Sequence, residues 1–555
     1  MSDTAAAGRT PTPVDRIAEE WVQTLSALSP ELATYIGGTE KLDEYSDYSP
    51  AGRAESLAAA KRTLAQLDAA TPVDDTDRVT ITDLSAELRL DIELEEAGWA
   101  ARDINVLASP AQGIREIYDL MPTATEDDWA TIARRLDRVG GALEGYAETL
   151  REGIANDNTP AVRQVREVLA QVRTNAARDG FFAEFTGGAE VPESLKTDLA
   201  AAAERAADAY GRFGDFLEGE LAPAARADDA VGRELYSLMS RRFLGATIDL
   251  DETYEWGKEE LARMVEEQTR IADEILPGAS VEEAIAHLEK DESRKLHGRD
   301  ALKAWMQQLS DTAVDELSRT HFDIPEPVKA LECMIAPTPG GAVYYTGPTD
   351  DFSRPGRMWW SIPEGVDSFD TWRETTTVYH EGVPGHHLQI GQAVYNRAQL
   401  NSWRRLLAGT SGHAEGWALY AERLMEELGY LDGPADRLGM LDGQRMRAAR
   451  VVLDIGVHLG KEHPTTGRTW TSEDAFAFMR SNVNMNDGFV QFEVNRYLGW
   501  PGQAPSDKVG QRIWEQIRDE YKTREGASFS NKAFHKKALD LGGVGLDTLK
   551  TALLG

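Results

Sequence analysis

Apolar residues recur three and four positions apart through most of the chain between Val14 and Phe322. This spacing places apolar side chains on one face of an α-helix. Pro, Gly and Asp/Ser/Thr starts separate the successive segments. The pattern predicts helices over residues 14–28, 51–69, 83–97, 126–153 and 252–276.

The helical pattern is interrupted between residues 325 and 363. Pro and Gly become frequent there, and two β-rich segments occur at 342–345 and 358–362. We predict a hairpin or small sheet there. A helix is then expected to start at Ser368 as N-cap, with Asp370 in its first turn, and to continue into His380. Further predicted helices are residues 413–428, 435–459, 473–481 and 508–523.

These patterns predict a mainly α protein with a small β-sheet near an active-site cleft. The expected organisation is a disordered tail over residues 1–12, a helical scaffold over 13–324 and a catalytic region over 325–555. The tail consists of small and polar residues that cannot bury apolar surface.

Composition removes several classes of function. The 59 basic and 94 acidic residues give a net charge of −35, which repels nucleic acid and anionic lipid. The single cysteine, Cys333, excludes an intrachain disulfide and a multi-thiolate metal site. No signal peptide or membrane-length apolar run is found, so we expect a cytoplasmic protein with no membrane and no nucleic-acid partner.

Six of the ten histidines lie between residues 380 and 463, and such clustering favours a metal site. In helical zinc hydrolases one His binds the ion, while the adjacent Glu faces the zinc-bound water. His380 is therefore predicted as a Zn²⁺ ligand and Glu381 as the general base, which takes a proton from that water as it attacks a carbonyl carbon.

The second ligand is a choice between two histidines. Position 384, four residues after His380, is Pro and cannot bind a metal. On an ideal helix His387 lies about 20° from His380, and His386 about 120° away. A kink at Pro384-Gly385 would instead bring His386 into the usual position. We predict His386, with His387 as the alternative.

A carboxylate about thirty residues later is the predicted third ligand. Glu415 lies one turn into an apolar helix, where an unpaired carboxylate would be costly to bury without a cation. The alternative is an ordinary acidic residue at a helix start. A ligand set of two His and one Glu leaves an open position for substrate.

Further residues are expected to support catalysis. Asp454 and His458 are four apart on one helix face, where the carboxylate can orient the imidazole, and His458 is a candidate to stabilise the oxyanion. Tyr345 is a second candidate for that role. Arg445 and Arg447 are candidates to bind a substrate carboxylate, although arginines on a helix more often form a solvated face.

Four ordered blocks carry a family resemblance: HEGVPGHHLQ, GHAEGWALYAE, RMRAARVVLDIGVH and PGQAPSDKVG. The chain resembles the bacterial family of unknown function DUF885, which is grouped with the zincin-like peptidases of the MA-like clan. The resemblance covers residues 340–520. It implies a largely helical zincin-like metallopeptidase fold in which His380, His386 and Glu415 bind zinc and Glu381 is the base.

One position departs from the family pattern, because Asp507 stands where a Tyr is usual. If that Tyr stabilises the tetrahedral intermediate, its phenol is missing here. Alternatively, Asp507 is simply a favourable acid at a helix N-terminus. The predicted function is a zinc hydrolase acting on peptides or amide-bearing small molecules. His387 and Asp454 are expected to contact the ligand or catalytic side chains without touching the metal or the substrate. The alternative is a weakly active or inactive zincin-like binding protein.

Overall fold

The computed structural model of the protein describes residues 8–337, 343–431 and 433–555. Within these ranges the chain is mainly helical, as predicted, and it has two small sheets where one was expected. The helices before residue 325 are α1 (Pro13–Leu28), α2 (Pro30–Tyr35), α3 (Pro50–Ala69), α4 (Asp75–Glu96), α5 (Pro110–Glu116), α6 (Glu126–Leu136), α7 (Val139–Ala155), α8 (Val162–Asn175), α9 (Phe181–Gly187), α10 (Glu193–Phe216), α11 (Ala222–Ala224), α12 (Arg233–Leu244), α13 (Leu250–Ile275), α14 (Val281–Leu288) and α15 (Arg299–Thr320). Those after it are α16 (Thr371–Glu381), α17 (His386–Tyr395), α18 (Ser402–Leu406), α19 (Ser411–Glu427), α20 (Pro434–Leu459), α21 (Ser472–Arg480), α22 (Asp487–Gly499), α23 (Ser506–Glu525), α24 (Asn531–Leu539) and α25 (Leu546–Leu554).

Side-chain caps define many of the helix starts. Thr12, Thr125, Ser280 and Thr471 each form a capping box with the acidic residue three positions later. Seven predicted helices lie within two residues of the observed ones: α1, α3, α13, α19, α20, α21 and α23. The prediction missed the cap at Asp74, so α4 begins eight residues earlier than expected.

The predicted helix over 126–153 is two helices, α6 and α7, separated by Asp137 and Arg138. The amphipathic period continues across the break, so the pattern alone did not indicate it. The break is a property of the packed structure, in which α6 and α7 both contact α10.

The predicted hairpin forms part of a three-stranded sheet of β2 (Leu331–Ile335), β4 (Gly356–Trp360) and β3 (Tyr344–Thr346). β3 is antiparallel to β4, with Tyr344 opposite Trp359, and β2 adds in parallel on the other side of β4. Of the predicted first strand, residue 342 lies outside the described residues.

The expected helix start at Ser368 is wrong. Ser368–Asp370 is a short strand, β5, which pairs antiparallel with β1 (Lys295–His297). Helix α16 begins only at Thr371, because Asp370 adopts an extended backbone conformation as its N-cap. The helix still runs into His380, so the error does not move the site.

The largest apolar core draws buried residues from Tyr236 through Leu554. It therefore crosses the predicted division between residues 324 and 325, which is not a boundary in the packing. Helix α13 from the predicted scaffold packs along α20. A separate core lies within residues 104–221, and a third joins α1, α3 and α4 to Trp403.

The predicted disordered tail is too long. Residues 1–7 lie outside the described residues, but Arg9 forms ion pairs with Asp15, Asp74 and Asp77. Thr12 caps α1 and also donates a hydrogen bond to Asp77 at 2.7 Å. These contacts tie residues 9–12 to the helices.

None of the helices within the described ranges offers an apolar stretch long enough to cross a membrane.

Two glycines allow a close helix contact beside the site, between α19 and α23. A Cβ on Gly416 would lie 2.4 Å from the backbone of Gly510, and a Cβ on Gly510 would lie 2.1 Å from the carbonyl oxygen of Gly412. Only glycine permits such an approach. The start of α23, with Asp507, is thereby held against the start of α19, where Glu415 is the fifth residue.

Candidate metal centre

The candidate site is built at a break between two helices. Helix α16 ends at Glu381, and α17 begins at His386 after a turn that contains a cis Val383–Pro384 peptide. The amide of Gly385 donates to the carbonyl of Tyr379 at 3.0 Å. A Cβ on Gly385 would lie 1.9 Å from the carbonyl oxygen of His380, so this close return of the chain requires glycine.

The break brings the predicted ligand residues together. The ring centroids of His380 and His386 are 4.9 Å apart. His380 Nε2 lies 3.3 Å from Glu415 Oε2, and His386 Nε2 lies 3.5 Å from Glu415 Oε1. Candidate ligand atoms of His380, Glu381 and His386 all lie within 4.8 Å of one another. The side chain of Glu415 is 33% exposed, so the cluster opens to solvent on that side.

Glu422 orients His380 and was missed by the sequence analysis. Its Oε1 lies 2.7 Å from Nδ1 of His380, and its Oε2 accepts a hydrogen bond from Thr376 at 2.9 Å. This contact turns Nε2 toward Glu415. The spacing in the sequence could have indicated this role. Glu422 follows Glu415 by seven residues, and two helical turns place both side chains on the same face of α19.

The carboxylates also change the acid–base behaviour of His380. Burial disfavours its protonated form, but Glu415 and Glu422 outweigh burial and raise the pKa of His380 to about 10. The pKa of Glu381 is also raised, but here burial is the cause of the rise. The charges of His380 and His386 act against that rise in the pKa of Glu381. A carboxylate with a raised pKa is a better proton acceptor than an ordinary glutamate.

His387 points away from the cluster. Its Nε2 donates to the carbonyl of Val328 at 2.7 Å, and its Nδ1 accepts from the hydroxyl of Tyr345 at 2.8 Å. Both ring nitrogens are used, which contradicts the alternative that His387 is the second ligand. The hydroxyl of Tyr345 is likewise engaged with His387, and its predicted role at the oxyanion stays a prediction.

The neutral state of His387 predicts a pH dependence of stability. Burial lowers the pKa of His387 to about 4, whereas an imidazole in an unfolded chain titrates near 6.5. Between these values only the unfolded chain takes up the proton. We expect the free energy of unfolding to fall by about 3 kcal/mol as the pH drops from about 6.5 to about 4, from this group alone.

Urea unfolding of metal-free protein at a series of pH values measures this effect. His387→Gln removes the titrating group, so its stability should decline less over the same range. The matched control is His297→Gln, since the His297 side chain is 62% exposed. Equal declines for wild type and His387→Gln would contradict the neutral assignment.

The Asp454/His458 pair does not face the cleft, contrary to the prediction. Both side chains are fully buried. Asp454 accepts from the Tyr236 hydroxyl at 2.7 Å and from the Gly502 amide at 2.9 Å, while His458 Nε2 donates to the carbonyl of Tyr497 at 3.1 Å. A substrate cannot reach His458, so its catalytic role is wrong. The pair instead ties α20 to α12 and to the end of α22.

The two predicted substrate-binding arginines separate in the structure. Arg445 donates to Asn482, Gln268 and the carbonyl of Ser481 at 3.0–3.2 Å, so its guanidinium joins α20 to α13 and α21. This contradicts its proposed role. Arg447 instead contacts Asp507 Oδ2 through Nε at 3.3 Å, and its positive charge acts to lower the pKa of the carboxyl groups of Glu381 and Glu422.

A family model described as "Bacterial protein of unknown function (DUF885)" matches residues 30–553. The chain belongs to the DUF885 family. The match includes both the helical region before the site and all the residues of the cluster. Comparison with curated proteins gave no match.

Two solved structures share the fold of this DUF885 chain. A protein from Colwellia psychrerythraea, provisionally described as a lipoprotein, has a TM-score of 0.83 at 21% identity, over 97% of this chain and 98% of that one. A protein from Shewanella oneidensis, provisionally described as a lipoprotein of unknown function, has a TM-score of 0.78 at 18% identity, over 98% of this chain and 100% of that one. At these identities the similarity shows the fold.

Proposed function

We propose that the protein is a zinc-dependent hydrolase of amide bonds, in peptides or in amide-bearing small molecules, with a zincin-like site. The observation that carries the proposal is the convergence of His380, His386 and Glu415 with Glu381 beside them. Two His and one Glu form a ligand set of catalytic zinc sites, whereas structural sites have four protein ligands.

The spacing of the donor atoms fits this ion. Ligand atoms about 2.0 Å from a tetrahedral zinc ion lie about 3.3 Å from one another. The distances from Glu415 to His380 and His386 are 3.3 and 3.5 Å. The contact between Glu422 and His380 Nδ1 supports the proposal further, because zinc-bound histidines commonly donate their other nitrogen to a carboxylate.

In this proposal His380, His386 and Glu415 would hold the ion, which when bound would supply a Lewis acid for the carbonyl and acidify a water molecule. Glu381 accepts the proton of the attacking water and then delivers it to the leaving amine, so the carboxylate is regenerated. Glu422 keeps the Nδ1 proton of His380 in place and thereby fixes the ring.

The direct experiment measures metal content and activity together. Protein purified without added metal should contain about one zinc per chain and cleave members of a mixed peptide library. A chelator should abolish cleavage, and zinc should restore it. If the purified chain holds no stoichiometric zinc, and added zinc neither binds nor changes its melting temperature, the proposal fails.

Glu422→Gln tests the support of the ligand. The amide can still contact His380, but it provides no negative charge to hold the Nδ1 proton. We expect zinc affinity to fall about 10- to 100-fold, as measured by competition with a chromogenic chelator. Glu426→Gln is the matched control, since Glu426 lies one turn later in α19 and pairs with Arg423. If both variants bind zinc as tightly as wild type, Glu422 has no role in zinc binding.

A further inference from the structure

The guanidinium group of Arg447, in α20, has hydrogen-bond donors that are only partly used. Its Nε lies 3.3 Å from Asp507 Oδ2, and its Nη1 makes only a long contact of 3.5 Å with the carbonyl of Gly443. No residue in the described part of the chain accepts a hydrogen bond from Nη2, and the side chain is 20% exposed. By contrast, all three guanidinium nitrogens of the buried Arg450 have partners.

Asp507 anchors Arg447 to a rigid group of side chains. Its Oδ2 also lies 3.3 Å from Nη1 of Arg450. Arg450 is itself held by Glu493 at 2.9 Å and by the hydroxyl of Tyr497 at 2.7 Å. The Asp507 side chain is only 7% exposed, so it is fixed by packing as well as by charge.

Arg447 is held close to the candidate cluster, because Gly510 near the start of α23 packs against Gly412 near the start of α19 and so brings Asp507, the partner of Arg447, near Glu415. The charge of Arg447 acts on Glu381 and Glu422, and Asp507 is near enough to Glu415 for the two carboxyl groups to repel. A guanidinium whose Nε is already used presents Nη1 and Nη2, and this pair matches the two oxygens of a carboxylate. One extended residue spans about 3.3–3.6 Å, so a carboxylate bound beside the cluster would lie close to the attacked carbonyl.

Resting on the hydrolase function above, we propose that the substrate is a peptide with a free C-terminal carboxylate, cleaved at its last bond. Arg447 binds that carboxylate through Nη1 and Nη2. Asp507 is a positioning residue that holds Arg447 in place by its contact with Nε. The site thus selects a chain end rather than an internal segment.

Binding to metal-free protein tests this without any turnover. The probes are tetra-alanine and its C-terminal amide, titrated by calorimetry. We expect wild type to bind the free acid at least about tenfold more tightly than the amide, because a charged, paired hydrogen bond is lost in the amide. Arg447→Gln should abolish this preference. Asp507→Asn should reduce it severalfold while leaving binding of the amide unchanged.

Arg445→Gln is the matched control, and its preference for the free acid should equal that of wild type. Equal binding of acid and amide by wild type would overturn the proposal, as would a preference that survives Arg447→Gln. If Asp507→Asn weakens both peptides equally, Asp507 has only a structural role. A preserved acid preference in a protein that shows no hydrolysis would refute the hydrolase function and leave the carboxylate site standing.

Discussion

Glu381→Gln is expected to lower the rate of amide hydrolysis by about 10²- to 10⁴-fold while leaving zinc content at the wild-type level. The glutamine side chain has the same shape as glutamate but cannot accept the proton of the attacking water. Glu381 is 9% exposed and lies within 4.8 Å of the candidate ligand atoms of His380 and His386. The change therefore removes a proton acceptor at the centre of the cluster.

The measurement is single-turnover cleavage of a peptide found by library screening, with zinc determined on the same samples. Glu426→Gln serves as the control for loss of an acidic side chain elsewhere on a site helix. Two other results would be informative. Wild-type cleavage by Glu381→Gln would exclude Glu381 as the base, whereas loss of zinc would mean that Glu381 binds the ion in place of Glu415.

Local sequence chemistry was sufficient to predict that His380, Glu381, His386 and Glu415 come together in one cluster. The His380-Glu381 pair marks the end of one helix, and Glu415 near the start of another is a carboxylate in an apolar context. Each of these signals lies within a few residues of the chain. The start of α21, set by the Thr471 cap, was predicted equally well, whereas the Asp74 cap of α4 was missed.

The predicted roles were wrong where a side chain's exposure to the cleft depends on which neighbouring element covers that face of the helix. Asp454 and His458 share a face of α20, as their spacing requires, but that face is covered by Tyr236 and the chain around Tyr497. Arg445 and Arg447 are about 200° apart on the helix. Only one of them can face the site, and the spacing alone does not say which.

The helix break at Pro384 was inferred and His386 was favoured because of it, but the sequence alone did not exclude His387. Whether α16 continues, bulges or stops decides which of two adjacent histidines turns inward. That choice depends on Gly385 packing against the His380 carbonyl and on Tyr345 and Val328 offering His387 a second set of partners. The two contacts to His387 come from residues 42 and 59 positions away in the chain.

His386→Ala and His387→Ala should therefore have opposite effects. In His386→Ala the metal-free protein should lose less stability than in His387→Ala, because the His386 ring has only a 3.5 Å contact with Glu415, whereas His387 has hydrogen bonds of 2.7 and 2.8 Å. Zinc at a thousand times the wild-type dissociation constant should stabilise wild type by about 4 kcal/mol. It should not raise the melting temperature of this variant, because one of the three ligands is gone.

His387→Ala should instead lose stability and keep its metal. The ring is 1% exposed, so its removal leaves a cavity. The Tyr345 hydroxyl and the Val328 carbonyl also lose their hydrogen bonds to His387. We expect a loss of about 2–4 kcal/mol without metal, and a zinc-induced rise in melting temperature similar to that of wild type. Thermal unfolding of the three proteins with and without zinc measures both effects. The reverse pattern, with zinc lost in His387→Ala and retained in His386→Ala, would mean that the chain between the two helices rearranges when the metal binds.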